Sequence, residues 1–166
     1  MKNFCFILVC IFSMTMINAQ THSHHSSETG QELKALTSEQ IKSYLNGEGM
    51  GLAKAAELNH FPGPKHVLDL SKELNLSQAQ IDSTEKIFGM MNEKAVYLGK
   101  IIIEKEKQLN QIFSSGKADE ESLKNLVTQI AVYEGELRFT HLNAHIQQKG
   151  ILTPEQILTY ESLRGY

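Results

Sequence analysis

The stretch Leu76–Phe113, LSQAQIDSTEKIFGMMNEKAVYLGKIIIEKEKQLNQIF, decides the fold class. Its apolar residues Ile81, Phe88, Met91, Ala95, Leu98, Ile102, Leu109 and Ile112 recur at steps of three, four and seven. That period marks one face of a helix; a strand would alternate every second residue. Ser114-Ser115-Gly116-Lys117 breaks the pattern. The spacing therefore predicts one helix from Ser77 to about Phe113, roughly 54 Å long at ~1.5 Å per residue. A second run follows at once: Asp119 can cap it, and Leu123, Leu126, Ile130, Leu137 and Ala144 carry it to Lys149-Gly150. A turn this short between long helices forces them antiparallel. The predicted architecture is all-α: a long antiparallel helical hairpin with shorter N-terminal helices and a short C-terminal helix.

Working outward, a pattern Leu-(Thr/Ser)-x-x-Gln occurs three times, at Leu36–Gln40, Leu76–Gln80 and Leu152–Gln156. Each reads as a helix start. The hydroxyl accepts an otherwise unpartnered N–H of the first turn, the glutamine bonds back, and the leucine staples onto that turn. Pro154 suits a first helical position. Three ordinary capping boxes are a sufficient physical account of the pattern.

Between the first two boxes, Gly47, Gly49 and Gly51 interrupt the apolar residues Ile41, Tyr44 and Leu45 before Leu52, Ala53, Ala55, Ala56 and Leu58. This predicts a kinked helix or two short ones in close backbone contact. The cluster is no phosphate loop, since it lacks the Lys-Ser/Thr ending and no strand precedes it. Phe61-Pro62-Gly63-Pro64 reads as a turn, and Val67 to Leu74 as a short helix.

Two helices do not bury every apolar residue. Ile101, Ile102 and Ile103 point about 100° apart, so one partner helix covers only part of the trio. The N-terminal helices, a second subunit or a bound client must meet the rest. Ile101, Ile103 and Met90 are the candidate client or dimer surface.

The N-terminus reads as an address. Lys2 precedes an apolar run from Phe4 to Ile17, and Asn18-Ala19 offers a small residue for cleavage before Gln20. The run is shorter than the ~18 to 20 residues that span a hydrocarbon core. The expected organisation is a signal peptide over residues 1–19, a mobile His/Ser-rich leader over 20–35, and a helical domain over 36–166. Both cysteines, Cys5 and Cys10, lie in the removed segment. Packing or oligomerisation, not disulfides, must then stabilise the secreted chain. With 16 basic residues against 19 acidic ones, the chain has no excess of positive charge for a nucleic-acid backbone.

His141 and His145 lie four residues apart and share one helical face, the spacing at which two imidazoles reach one metal ion. Folding the hairpin about its turn places Met90, Met91 and Glu93 near His141 and Glu85 near His145. The alternative is a pair that is solvated or hydrogen-bonded on the hairpin surface. Catalysis has no support: no glutamate stands beside the first histidine as a base, and no nucleophile accompanies the pair. A second chelate depends on cleavage before Gln20. A new amine, two amides and the imidazole of His22 would form a square-planar site for Cu(II) or Ni(II).

The three boxes around a long hairpin, behind a signal peptide, resemble the Spy/CpxP family of periplasmic proteins and the related heavy-metal-resistance group. The likeness covers most of residues 36–166. Leu76–Gln80 and Ile151-Leu152-Thr153-Pro154-Glu155-Gln156 carry it most strongly. The segments Gly49-Met50-Gly51-Leu52-Ala53 and Pro62-Gly63-Pro64-Lys65-His66-Val67-Leu68 look like metal-resistance members.

The resemblance implies a periplasmic, non-enzymatic envelope-stress protein, often a homodimer. Such a protein binds unfolded envelope proteins without ATP, or docks on a membrane sensor protein, or binds Zn, Cu or Ni; no cofactor is required. This chain departs from the family in two ways. It is slightly acidic where chaperone cradles of that family are basic. It also lacks the His-x-x-x-His of the sensors' first helix, since His60 and His66 are six apart across a proline turn.

Overall fold

Thr37, Ser77 and Thr153 each begin a helix in the computed structural model, which describes residues 33–165. At all three the box closes in both directions. The Gln40, Gln80 and Gln156 amides donate to the cap hydroxyls, and the cap N–H groups donate to the glutamine side chains. The signal peptide, most of the leader and His22 lie outside the described residues.

Six helices form in the described chain: α1 (Ser38–Asn46), α2 (Lys54–Glu57), α3 (Pro64–Asp69), α4 (Gln78–Ser114), α5 (Glu120–Lys149) and α6 (Pro154–Arg164). No strand occurs among the described residues. The 37 residues of α4 and the 30 of α5 pack against each other as the predicted hairpin. Asp119 caps α5, accepting the Ser122 N–H at 2.9 Å. Of the two readings for the glycine-rich segment, two short helices is the correct one. Gly47 ends α1 at φ 66°, and α2 starts only after Gly51 at φ 77°. The third short helix starts earlier than expected, at Pro64 instead of Val67. Proline at its first position loses no helical hydrogen bond, so the turn residue itself opens the helix.

Two apolar cores sit along the hairpin. Ala95, Leu98 and Ile102 of α4 meet Leu137 of α5, with Tyr44, Leu52 and Tyr133 packed against them. α1 crosses α4 so closely that a Cβ added at Gly99 would lie 2.5 Å from the Tyr44 carbonyl oxygen. Ile103, one turn beyond Gly99 on that face, is only 7% exposed. This corrects the expectation for the isoleucine trio: Ile102 faces α5, Ile103 is buried on the side that α1 covers, and only Ile101 stays half-exposed.

The second core joins Val67, Leu74, Leu152 and Tyr160, with Leu70, Leu76 and Ile157 against it. Leu76 and Leu152 are the leucines of the second and third boxes. The glutamines of the same boxes also meet. The Gln80 amide donates to Gln156 Oε1 at 2.8 Å and to the Ile151 carbonyl at 3.0 Å, while the Gln156 amide donates to the Leu74 carbonyl at 3.2 Å. From there a buried polar line continues inward, with Thr84 donating to the Gln80 carbonyl and Gln148 donating to Thr84. Two boxes that each look local thus form one tertiary clamp across the ends of the hairpin.

Candidate functional site

α5 turns His141, Ala144, His145 and Gln148 inward, and all four are buried. The residues between α1 and α3 lie over the two imidazoles. Phe61-Pro62-Gly63-Pro64 runs across His145, whose Nδ1–H donates to the Phe61 carbonyl at 2.8 Å. A Cβ at Gly63 would lie 2.9 Å from His145 Cε1, so only glycine lets the backbone approach the ring this closely. Two further contacts hold the turn. Lys149 places its ammonium 3.9 Å from the centre of the Phe61 ring, and the buried Tyr160 hydroxyl accepts the Gly63 N–H. His60, at φ 66°, pairs with Glu161 of α6.

Beneath this cover is a cavity of about 370 Å³. His141 and His145 form its wall on α5, Met91 and Asn92 its wall on α4, and Gly49 and Met50 its wall on the glycine segment. The two histidines are 4% and 6% exposed. His141 Nε2 is buried and finds no hydrogen-bond partner among the described residues. Such an orphan is uncommon in a folded interior, where polar atoms are nearly always paired. Burial, and next the neighbouring His145, push the His141 imidazole below its ordinary value, which favours the neutral ring. His66, on the same cavity wall, is also pushed down, first by burial and then by the charge of Arg164.

These positions revise the predicted site. The histidine pair is not solvated on the hairpin surface; both residues are enclosed, and His145 is hydrogen-bonded, as the alternative reading has it, to the Phe61 carbonyl. Met91 lies beside it as the folded register predicts. Met90, Glu85 and Glu93 do not line the cavity, and all three are exposed, Met90 at 63%. Folding the hairpin about its turn fixes the layer but not the direction, and one residue along a helix turns the side chain by about 100°. Among the described residues no three of the His, Cys, Asp and Glu side chains come together as a metal cluster. Sequence reasoning missed Asn92, Glu57 and His66 as walls, because Glu57 and His66 reach the cavity from the short helices α2 and α3, and Asn92 is a polar residue outside the apolar period of α4.

The chain matches no family model, no curated protein and no solved structure. The site therefore stands on its own chemistry. An imidazole whose Nδ1–H is held by a carbonyl has Nε2 as its remaining ring nitrogen, the arrangement found in metal-bound histidines. Beside it is a second imidazole with an unpaired ring nitrogen. The pair is chemically suited to a transition-metal ion, and the cavity is at the small end of the range for organic ligands. No helix among the described residues is long and apolar enough to cross a membrane.

Proposed function

We propose that this is a non-enzymatic periplasmic stress protein, similar to the Spy/CpxP and heavy-metal-resistance proteins, that binds a transition-metal ion in the cavity through His141 and His145. The observation that supports this reading is the pairing of two buried imidazoles on one cavity wall, one of which, His141, has a buried Nε2 without a hydrogen-bond partner among the described residues. Calorimetric titration of the mature protein with Zn(II), Cu(II) and Ni(II) tests it. One cavity site per chain is expected at neutral pH, separate from the N-terminal chelate, lost in the His141→Ala/His145→Ala variant and kept in His22→Ala. Affinity unchanged in the double variant would remove the pair from metal binding.

A second reading, ATP-independent binding of unfolded envelope proteins, has its own support. Val132, Phe139 and Ile146 follow one another at seven-residue steps on α5 and are 57%, 61% and 60% exposed. They form an apolar stripe on the side of α5 away from the buried Ile130, Leu137 and Ala144. A client, or a membrane sensor's extracytoplasmic domain, would bind there. Suppression of client aggregation without nucleotide, lost in Phe139→Ser/Ile146→Ser, is the expected result; no suppression at several-fold molar excess ends this reading.

A further inference from the structure

The donors around the cavity differ in kind, and the difference bears on which ion fits. The carboxylates in its wall are already engaged. Glu48 accepts from Ser43 Oγ at 2.8 Å and from Asn46 at 3.1 Å, and Glu57 sits 3.9 Å from His66 Nε2. No cluster of three His, Cys, Asp and Glu groups is assembled among the described residues, so the all-N/O or thiolate set that holds Zn(II) is incomplete. Sulfur is present instead. Met91, 8% exposed on α4, and Met50, 42% exposed on the glycine segment, line the same cavity as the two imidazoles.

We infer that the cavity is a soft-metal site selective for a monovalent ion, Cu(I) or Ag(I), with the thioethers of Met91 and Met50 joining His141 and His145. This rests on the metal-binding reading above. Thioether and imidazole donors are the soft set that favours such ions. The charge balance points the same way. All four donors are neutral, and the cost of taking an ion out of water rises with the square of its charge. A divalent ion held without anions therefore pays about four times the desolvation cost of a monovalent one. Met91 is fixed by α4. Met50 sits at φ 43° between Gly49 and Gly51, so glycine on either side gives its backbone the freedom to adjust to a bound ion.

The mature full-length chain, labelled with 13C at its methionine methyls, is titrated with silver nitrate, which needs no reductant. Met90, exposed on α4 outside the cavity wall, is the internal reference. One equivalent of Ag(I) is expected to shift the Met91 and Met50 methyl resonances and leave Met90 in place. Met91→Leu, a near-isosteric change that a core tolerates, is expected to weaken Ag(I) binding by about tenfold or more, the scale on which a lost contributor to a metal site is felt. Met90→Leu, outside the cavity wall, should leave Ag(I) affinity unchanged within about twofold. If Ag(I) leaves the Met91 methyl unmoved while Zn(II) still binds through His141 and His145, the soft-ion inference falls and the metal-binding reading survives. If neither ion perturbs the site, both fall.

Discussion

Gln80 and Gln156 occupy the same place in two capping boxes 76 residues apart, and the amide of the first donates to the side-chain oxygen of the second at 2.8 Å. Each glutamine closes its own helix start and binds the other's segment. A helix cap, which is a local device, has thereby become the joint between the start of α4 and the start of α6.

Gln80→Ala should therefore cost more than loss of a cap. It removes the box, unpairs the Ile151 carbonyl and takes one donor from Gln156 Oε1, for a loss of about 2 kcal/mol. Gln40→Ala, at an exposed box bonded only to Thr37, should cost about 0.5 kcal/mol. Urea unfolding of the single variants and of Gln80→Ala/Gln156→Ala checks this. The double-mutant cycle should show a coupling of about 1 kcal/mol.

Glycines on the two long helices should respond in opposite directions to alanine. At Gly99 an added Cβ meets the Tyr44 backbone carbonyl, and Gly99→Ala should destabilise by about 2 kcal/mol or more as α1 is pushed off α4. At Gly135, on α5, nothing lies within 4 Å, so Gly135→Ala should stabilise by about 0.5 to 1 kcal/mol through helix propensity alone. Thermal melts of the two variants read both signs in one experiment.

One pH effect comes from Glu106. Burial, and then the charge of Glu134, raise its carboxyl above its ordinary value of 4.5. A raised carboxylate is penalised when ionised in the folded state. The penalty is full above the raised value, shrinks as pH falls through it, and is gone below 4.5. Glu106→Gln should then stabilise the protein at pH 7 by about 0.5 kcal/mol, since solvent screens a partly exposed pair. That gain should vanish below pH 4.5, as measured by denaturation across the range.

The helices were legible because their causes are local. The period of Ile81 to Ile112, the hydroxyl-glutamine caps and the break at Ser114–Lys117 each act within a few residues, and α4 and α5 end within one residue of the expected places. What the sequence hid is long-range. Nothing near Gln80 signals that Gln156 will face it. The sequence marks Ile103 as surface, because the close approach of Tyr44 to Gly99 that buries it depends on how α1 crosses α4. His141 and His145 were recognisable as a pair from their spacing. Their enclosure was not, since the cover comes from residues 47–66, where glycine and proline turns replace periodicity with specific backbone angles.

The central claim is that His141 and His145 together hold a metal ion inside the protein. Histidine-resolved 15N NMR of the mature chain, recorded before and after one equivalent of Zn(II) or Ag(I), tests it most directly. The account predicts that the Nε2 resonances of both rings move together with at least one of the ions, while His145 Nδ1 keeps its proton on the Phe61 carbonyl. Ring nitrogens of both residues unmoved by either ion would contradict it.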